Sequence, residues 1–450
     1  MIPVVTPEEM AAVDRAAPEP TEVLVERAGA AVAREALRLL GGAYGRRVVV
    51  VAGKGNNGAD GRAAAARLRR RGTRVEVVDA AARPGRLPAC DLVVDAAYGT
   101  GFRGQYRAPD PGGAPVLAVD VPSGVDGLTG EAGDEAVWAA RTVTFAALKP
   151  GLLLYPGAER AGEVVVAGIG LDTAGARASL VEADDVAEWV PPRPAETHKW
   201  KSAVWVVAGS AGMVGAAHLC ARATMRAGAG TVRLGIPGSG PDPGALEVVG
   251  RALPEDGWDA AVVDDSSRAK ALVVGPGLAR TDATRAAVRG LLAASPLPVV
   301  LDADGLYALG PADEAAGVLG PRSADTVLTP HEGEFARLAG PVGADRLASV
   351  RDLAAALGVT VLLKGSTTVV ASPGGDVLMV TAGDSRLATA GSGDVLSGVI
   401  GALLASGVDA PRAAAAGAYL HGRAASLGWR RGLVAADLLD LLPAAFAELS

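Results

Sequence analysis

The stretch RVVVVAGKGNNGADGRAAAARLRRRG, residues 47–72, decides how the first half of the chain folds. A valine-rich apolar run leads into a glycine-rich turn, and an alanine- and arginine-rich segment with helical character follows. An apolar strand without polar alternation is typical of a parallel sheet that is covered on both faces. A strand, a glycine-rich turn and a helix start also form a binding place for a phosphate or another anion. An ordinary strand-to-helix loop is the simpler alternative for this segment alone.

Similar apolar runs alternate with alanine-rich helical stretches along most of the chain. They are VEVVDA from Val75, DLVVDA from Asp91, AVWVVAG from Ala203, ALVVGPG from Ala271, PVVLDAD from Pro298 and VTVLLKG from Val359. Strands that alternate with helices predict doubly wound α/β architecture, with ligands at the carboxyl ends of the strands. Three prolines in PPRPAETHKW, residues 191–200, indicate a stiff connector. We therefore predict two doubly wound domains, at residues 1–176 and 177–450.

The composition of the 450-residue chain excludes several classes of protein. Half of the residues are apolar and 21% are charged, so each domain can bury a core. The formal net charge of −7 argues against binding of nucleic acid, although a helix start can still bind a single nucleotide. Two cysteines exclude a disulfide scaffold and a cysteine-only zinc site. The start MIPVVTPEEM is unlike a secretory signal and no apolar run has the length of a membrane span, so we expect a cytoplasmic protein.

Two further loops of the first half each follow an apolar strand. DAAYGTGFRG begins at Asp95, and VDVPSGVDGLTG, residues 119–130, contains Asp120. Because the carboxyl ends of parallel strands meet at one edge of a sheet, we expect both aspartates to lie beside the loop of Asn57. Oxygens of Asn, Asp and Ser that converge there could hold a hard cation. For each aspartate alone, a helix N-cap is the simpler alternative.

The second half contains a tetrapeptide that is typical of a phosphoryl-transfer site. GSGD precedes the helical run VLSGVIGALL, so the N–H groups of Gly391, Ser392 and Gly393 can form an anion hole. Asp394 could accept a hydroxyl proton during phosphoryl transfer, or it could only complement the helix dipole. Lys364, in VLLKGSTTVV, suits contact with a nucleotide phosphate.

Two weaker patterns accompany this tetrapeptide. GSAGMVGAA, residues 209–217, follows a strand and opens a helix, and its small residues would let a flat ring or a phosphate approach the backbone. Close packing of the helix on the sheet explains the same pattern equally well. TPHEGEFARL brings His331 and Glu334 together at a helix start, but the other histidines lie in unrelated segments. A dedicated metal site is therefore not expected there.

Four motifs of the first half together resemble the epimerase domain of the NAD(P)H-hydrate repair enzymes: GKGNNGADG, DAAYGTGFRG, VDVPSG and TVTFAALKPG. The resemblance covers roughly Met10–Gly170, and it implies interconversion of the R and S epimers of hydrated NAD(P)H at C6 of the nicotinamide ring. It also implies a potassium ion bound by Asn57, Asp95 and Ser123. The residues implied to contact the hydrate are Asn56, Asn57, Gly58, Ala59, Asp60, Gly99, Thr100, Gly101, Phe102, Arg103, Gly104, Gln105 and Asp120. The family usually has Gly-Gly before the aspartate, so Ala59 would strain the loop if its position needs a positive φ.

The second half resembles the ribokinase-like fold, and more closely the ADP- or ATP-dependent NAD(P)H-hydrate dehydratase, over Glu182–Leu442. The motifs are GSAGMVGAA, VVGPGLAR, VVLDADGLY, VLTPHEGEFARL, KGSTT and GSGD, with HKWK from His198 and AYLHG from Ala418. The resemblance implies contacts of the S hydrate with Ala216, Gly277, His331 and Asp394. The implied nucleotide contacts are Lys364, Gly365, Ser366, Thr367, Thr368 and Gly393. Where the family often has GPGLG, this chain has GPGLA, which ends at Ala279.

This resemblance implies that a kinase-type site is used for a dehydration. Phosphorylation of the C6 hydroxyl makes it a good leaving group, and the ring nitrogen then helps to expel it. The implied co-substrate is ADP or ATP with Mg²⁺, with ADP typical of similar bacterial members, and a homo-oligomer is implied as well. The alternative is a ribokinase-like small-molecule kinase joined to a non-catalytic domain that binds nicotinamide nucleotides. We favour the repair enzyme because an epimerase is useful beside a stereospecific dehydratase.

Overall fold

The structure, a computed structural model, describes residues 1–82, 84–104, 106–190 and 192–449. Its contacts divide the chain into two compact units, one from Ile2 to Ser179 and the other from Leu180 to the carboxyl-terminal end. Each unit contains a mainly parallel sheet with helices packed on it, which confirms the predicted fold class. The limits 1–176 and 177–450 stay predictions of where the two activities lie. No described helix is long and apolar enough to cross a membrane.

The first unit is built on strands β2 to β7, which pair in the order β3-β2-β4-β5-β6-β7 with parallel neighbours throughout this order. The apolar runs from Arg47, Val75 and Asp91 correspond to β2, β3 and β4, as the sequence predicts. Short 3-10 turns occupy Ala80–Ala82 and Pro150–Leu152. In chain order the helices and strands are β1 (Ile2–Val4), α1 (Pro7–Arg15), α2 (Thr21–Leu40), β2 (Arg47–Ala52), α3 (Asn56–Arg70), β3 (Arg74–Asp79), β4 (Leu92–Ala96), β5 (Val116–Val119), β6 (Arg141–Phe145), α4 (Gly157–Ala161) and β7 (Glu163–Ala167).

Strand β2 shows why its sequence is apolar throughout. Val48 and Val50 belong to the core that α2 and α3 cover, whereas Val49 and Val51 pack into a second apolar cluster. Because successive side chains of a strand point to opposite faces, a strand buried on both faces needs apolar residues at every position. The loops at the carboxyl ends of β2, β4 and β5 therefore lie at one edge of this sheet.

The second unit follows the same principle with a larger sheet. Strand β8 (Ala178–Leu180) lies at the boundary between the units, and short 3-10 turns occupy Lys199–Ser202 and Ser385–Leu387. The remaining elements are α5 (Ala183–Trp189), β9 (Ala203–Val207), α6 (Val214–Arg226), β10 (Thr231–Pro237), β11 (Val248–Leu253), α7 (Trp258–Asp265), β12 (Ala271–Val274), α8 (Asp282–Ala294), β13 (Val299–Leu301), α9 (Asp304–Leu309), α10 (Ala312–Leu319), β14 (Thr326–Leu328), α11 (Glu332–Ala339), α12 (Arg346–Leu357), β15 (Thr360–Leu363), β16 (Thr368–Ala371), β17 (Val377–Val380), α13 (Ser392–Ala405), α14 (Ala410–Leu427) and α15 (Ala435–Ala447).

Neighbouring strands of this unit run in the order β17-β16-β15-β14-β13-β12-β9-β10-β11. From β15 to β11 each pairing is parallel, which matches the predicted strands from Ala203, Ala271, Pro298 and Val359. The pairs β15–β16 and β16–β17 are instead antiparallel, and each forms a hairpin. Their connections are too short for the helical crossover that a parallel pair requires.

Candidate active sites

A cavity of about 910 Å³ opens beside the carboxyl ends of β2, β4 and β5 in the first unit. Of the residues predicted to contact a hydrate, those that line it are Asn56, Asn57, Asp60, Gly99, Thr100, Gly101, Phe102, Arg103 and Asp120. Gly58, Ala59 and Gly104 are not among its lining residues, and Gln105 lies outside the described residues. The structure therefore brings three sequence-distant loops together around one space, as the strand-end pattern predicts.

The start of helix α3 shows how the glycine-rich turn shapes this cavity. A Cβ atom on Gly58 would lie 1.9 Å from the carbonyl oxygen of Gly53, so the turn can close only with glycine at this position. Ala59 lies within α3 and is not among the described residues with a positive φ. The strain considered for Ala59 therefore does not arise, because its backbone is helical.

Asp120 is held as a carboxylate at the end of β5. Its Oδ1 lies 2.8 Å from Nζ of Lys149, a side chain that is only 1% exposed, and its Oδ2 accepts a 2.9 Å hydrogen bond from the N–H of Thr100. Burial alone would raise the pKa of Asp120, but the Lys149 ammonium and these hydrogen bonds outweigh burial and hold the pKa below its usual value. Asp120 also has φ of +68°, a backbone strain that is common at functional sites.

Asp60, in the first turns of α3, has the opposite environment. It is 8% exposed and lines the same cavity, and within the described part of the chain no cation lies within ion-pair distance of it. Burial, followed by the nearby charges of Asp120 and Asp14, raises the pKa of Asp60 to about 8. Near neutral pH, therefore, Asp120 is ionised and Asp60 is mostly protonated, although both line the same cavity.

Two residues of this cavity have functional positions that the sequence did not reveal. Asp14 reaches the cavity from α1, and nothing in its local sequence marks it. Lys149 lies in the motif TVTFAALKPG, whose sequence assigns it no role, and in the structure it also donates to Oγ1 of Thr144 at 2.8 Å. The local signal that could have pointed to it is a lysine four residues after Phe145, where strand β6 ends.

The three residues implied to bind potassium do converge. The Oγ of Ser123 donates to Asp95 at 2.7 Å, and Nδ2 of Asn57 donates to the carbonyl oxygen of Tyr98 at 2.8 Å. Tyr98 N–H in turn donates to Ser123 Oγ at 2.9 Å, which joins the three side chains through one loop. Burial raises the pKa of Asp95 to about 6, against hydrogen bonds from Ser123. The Oδ1 of Asn57 is buried and has no hydrogen-bond partner in the structure, which fits a hard cation bound at this point.

In the second unit, Asp394 lies in the first turn of α13, three residues after the N-cap Gly391. No side chain caps this helix start, so its first amides are available to a ligand. One detail differs from the predicted anion hole, because the N–H of Ser392 donates to the carbonyl oxygen of Thr389 at 3.3 Å. Burial and the nearby Asp302 carboxylate raise the pKa of Asp394 to about 7, although the Lys364 ammonium opposes them.

Lys364 joins this helix start to the neighbouring strand ends. Its Nζ lies 2.9 Å from Oδ1 of Asp302 and 3.6 Å from Oε2 of Glu334. Oδ2 of Asp302 accepts a 2.7 Å hydrogen bond from Ser397 of α13. A Cβ atom on Gly393 would lie 3.5 Å from Nζ of Lys364, so the two residues predicted to bind nucleotide are adjacent. Asp302 follows β13 in VVLDADGLY, and the strand-end rule applied to Asp95 would have found it too.

The remaining predicted residues fall around the same strand ends. A Cβ atom on Gly277 would lie 3.1 Å from Cβ of Ala216, so these two residues lie against each other. His331 is the N-cap of α11, and its Nδ1 accepts the N–H of Gly333 at 3.0 Å. Its partner Glu334 closes a capping box with it rather than a metal site. Across the described residues no group of three or more His, Cys, Asp or Glu is placed to hold a metal ion.

The other predicted nucleotide contacts lie in one hairpin. Gly365 and Ser366 are exposed in the turn between β15 and β16, Thr367 is buried and Thr368 begins β16. This turn directly follows Lys364, so it lies beside Gly393 and the start of α13. A lysine, an exposed turn and a helix start therefore lie close together in the described structure, and proteins commonly bind phosphates with such groups.

Both halves of the chain match known families. The family described as NAD(P)H-hydrate dehydratase matches residues 204–444, and that described as YjeF-related protein N-terminus matches residues 21–90 and 79–151. The chain is 43% identical over 432 residues to the bifunctional NAD(P)H-hydrate repair enzyme Nnr of Mycobacterium tuberculosis, covering 88% of this chain and 87% of that one. The enzyme of the same name from Moorella thermoacetica is 36% identical, with 98% of this chain and 96% of that one covered.

Two solved structures are similar to part of the chain. The ADP/ATP-dependent NAD(P)H-hydrate dehydratase from Bacillus subtilis, co-crystallised with ATP/Mg²⁺, has a TM-score of 0.51 and 30% identity, and covers 60% of this chain and 98% of its own. A ribokinase-like superfamily protein from Enterococcus faecalis V583 has a TM-score of 0.52 at 21% identity, covering 61% of this chain and 97% of its own. The second similarity supports the fold alone.

Proposed function

The chain belongs to the family of bifunctional NAD(P)H-hydrate repair enzymes, and on that premise we propose how its two sites divide the work. The first unit interconverts the R and S epimers of hydrated NAD(P)H, and the second dehydrates the S epimer back to NAD(P)H with a nucleotide. The observation that carries the proposal is that one family spans both halves, while each half has its own buried aspartates at the carboxyl ends of parallel strands.

In the second unit, Asp394 is the proposed base. As the C6 hydroxyl of the hydrate attacks the terminal phosphoryl group of the nucleotide, Asp394 accepts the hydroxyl proton. The C6–O bond of the new phosphate ester then breaks with help from the lone pair of the ring nitrogen, and phosphate leaves with the bonding electrons. C5 loses a proton to the departing phosphate, which forms the C5–C6 double bond. A pKa of about 7 suits Asp394 to take a proton at physiological pH.

The nucleotide is assigned to the start of α13 and the turn that follows β15. The Lys364 ammonium offsets phosphate charge and the N–H of Gly393 donates a hydrogen bond to a phosphate oxygen. Residues Gly365 to Thr368 contact the remainder of the nucleotide. Mg²⁺ would enter bound to the phosphates, because Mg²⁺ is usually held by one or two carboxylates together with substrate oxygens. We propose ADP as the donor, which gives AMP and phosphate.

In the first unit, potassium is the proposed cation, and Asn57, Asp95 and Ser123 would hold it. The unpartnered Oδ1 of Asn57 and the buried carboxyl of Asp95 support this assignment. A cation there would offset the charge of Asp95 and order the loop that begins at Tyr98, which lines the cavity. A cytoplasmic location and a homo-oligomeric assembly stay predictions.

The test is incubation of the full chain with a mixture of R and S NADPH hydrate and either ADP or ATP. We expect reduced-cofactor absorbance to recover, with AMP and phosphate formed when ADP is supplied. A stable phosphorylated hydrate, or a phosphorylated alcohol formed in preference to reduced cofactor, would instead favour the small-molecule kinase.

A further inference from the structure

We propose that Asp60 and Asp120 are the catalytic acid and base of the first unit, and that they open and reclose the C6–N1 bond of the hydrate ring. Asp120 acts as the carboxylate base toward the C6 hydroxyl, and Asp60 acts as the neutral acid toward N1. This inference rests on the proposed epimerase function and deepens it, because it gives each group a proton and a direction of transfer.

The assignment of the base follows from the contacts of Asp120. The ion pair with Lys149 keeps the side chain ionised, and the Thr100 N–H fixes its second oxygen. Lys149 itself is tied to Thr144 and to the carbonyl oxygen of Phe145, so the pair cannot swing apart freely. Asp120 still lines the cavity and its side chain is 15% exposed, which leaves it accessible to a bound hydroxyl group.

The assignment of the acid follows from what Asp60 lacks. It lines the same cavity and is buried, and the described residues place no lysine or arginine within ion-pair distance of it. A carboxyl group buried without a counterion is more stable protonated, because desolvation disfavours the charged form. Burial and the Asp120 charge keep its pKa at about 8, so at neutral pH Asp60 carries the proton that a departing nitrogen needs.

The other ionisable groups of the cavity are less suited to these roles. Asp79 accepts the N–H of Ala81, Arg103 pairs with Asp126 at 3.4 Å, and Lys54 is exposed at the rim. Asp14 is also exposed, although burial of its carboxyl raises its pKa and Lys149 opposes that rise. Together with Lys149, Asp60, Asp120 and the phenol of Tyr98, these groups complete the set of ionisable side chains that line the cavity.

The reaction balances with these two groups alone. Asp120 takes the proton of the C6 hydroxyl, the C6 oxygen becomes a carbonyl, and the electron pair of the broken C6–N1 bond passes to N1. Asp60 delivers its proton to N1, which gives an open-chain aldehyde with a free C5–C6 single bond. After rotation about that bond, Asp60 takes the proton back as N1 attacks the other face of C6, and Asp120 returns its proton to the oxygen. No oxidant, reductant or co-reactant is needed.

The test uses full-length protein and isolated R hydrate without nucleotide, with the R and S epimers separated by chromatography. Asp60→Asn and Asp120→Asn keep the size of each side chain, and Asp134→Asn, on the exposed surface of the same unit, is the matched control. We expect kcat to fall about 100-fold or more in each of the first two variants, with KM little changed, because each loses one proton transfer.

The pH dependence of epimerisation tests the two roles separately. The wild-type rate should fall above pH 8, where Asp60 loses its proton, and the residual rate of Asp60→Asn should not fall there. Lys149→Met should instead create a fall at acidic pH, since Asp120 would then protonate more readily.

The same preparations are given S hydrate and ADP, which reports whether the second unit is intact. The acid–base assignment would be overturned if either Asn variant kept kcat within threefold of wild type or changed only in KM. It would also be overturned if the rate of Asp60→Asn still fell above pH 8 as in wild type. If wild-type protein leaves R hydrate unconverted, the proposed epimerase function itself is overturned. That result differs from the one in which the variants epimerise as fast as wild type, which overturns only the acid–base assignment.

Discussion

At the scale of one residue, the account of the second unit depends on Asp394, its proposed base. Its carboxyl lies at an uncapped helix start, beside Asp302 and within reach of the Lys364 charge. Burial of a carboxylate near another carboxylate costs stability, and the fold tolerates that cost where a base is needed. The raised pKa of Asp394 therefore makes testable predictions about rate and about stability.

We predict that Asp394→Asn lowers the rate of hydrate dehydration about 10²- to 10⁴-fold and leaves epimerisation unchanged, because only the second unit loses its base. In wild-type protein, dehydration should slow as pH falls below about 7, where Asp394 becomes protonated. The measurement is reduced-cofactor recovery from S hydrate between pH 5.5 and 8.5, with Asp313→Asn, an exposed residue of α10, as the control. Near-normal dehydration by Asp394→Asn would contradict the assignment.

The same substitution should stabilise the second unit. Because the folded-state pKa of Asp394 is raised, the folded protein binds more protons than the unfolded chain between about pH 4 and pH 7, so the carboxyl destabilises the fold as pH rises through that range. Asn carries no charge, so Asp394→Asn should have the higher melting temperature at pH 8 and little advantage at pH 4. A lower melting temperature at pH 8 would show that the carboxylate is better compensated than its contacts indicate.

At the scale of elements, the sequence predicts the strands and the loops that follow them, but not the pairs that tie them together. Apolar runs mark β2, β4 and β12 because strands covered on both faces leave a continuous local signal. The Lys364–Asp302 pair joins residues 62 positions apart, and no local pattern encodes which strand ends become neighbours. The sequence thus indicates that acidic groups gather at a sheet edge, whereas only the fold shows which of them is paired and which is left uncompensated.

The two alanines that replace usual family glycines differ at this scale. Ala279 has φ of +67°, in the region that disfavours residues with a Cβ atom, whereas Ala59 lies in helix α3. We predict that Ala279→Gly stabilises the second unit by up to about 1 kcal/mol, while Ala59→Gly destabilises the first by a similar amount. Urea denaturation of the full chain, followed by the loss of each activity, measures both. The opposite signs make each variant the control for the other, and destabilisation by Ala279→Gly would contradict the argument.

The loop between β4 and β5 should depend on a monovalent cation. We predict that epimerisation slows when potassium is replaced by a bulky organic cation at equal ionic strength, because Asn57, Asp95 and Ser123 would lose their shared ligand. Dehydration of the S hydrate in the same solutions controls for general salt effects. Asp95→Ala that epimerises at the wild-type rate in potassium would count decisively against the cation site.

At the scale of the whole molecule, the chain combines two compact units that each have a core and a set of buried aspartates. A phosphoryl donor and Asp394 fixed at a rigid helix start can align with a C6 hydroxyl on one face of the ring, and a misplacement of about 1 Å can cost roughly 10²-fold in rate. Repair of a mixture of R and S hydrate therefore needs a second activity that converts the R epimer into the S epimer. Joining both activities in one chain supplies them in equal amounts.

The most direct measurement compares the full chain with a fragment of residues 177–450 on mixed R and S hydrate with ADP. The full chain should restore reduced cofactor from both epimers. The fragment should restore the S part quickly and the remainder only at the slow spontaneous rate of epimerisation, and a fragment of residues 1–176 added separately should bring back fast conversion. A single fast phase that consumes both epimers with residues 177–450 alone would contradict the division of labour.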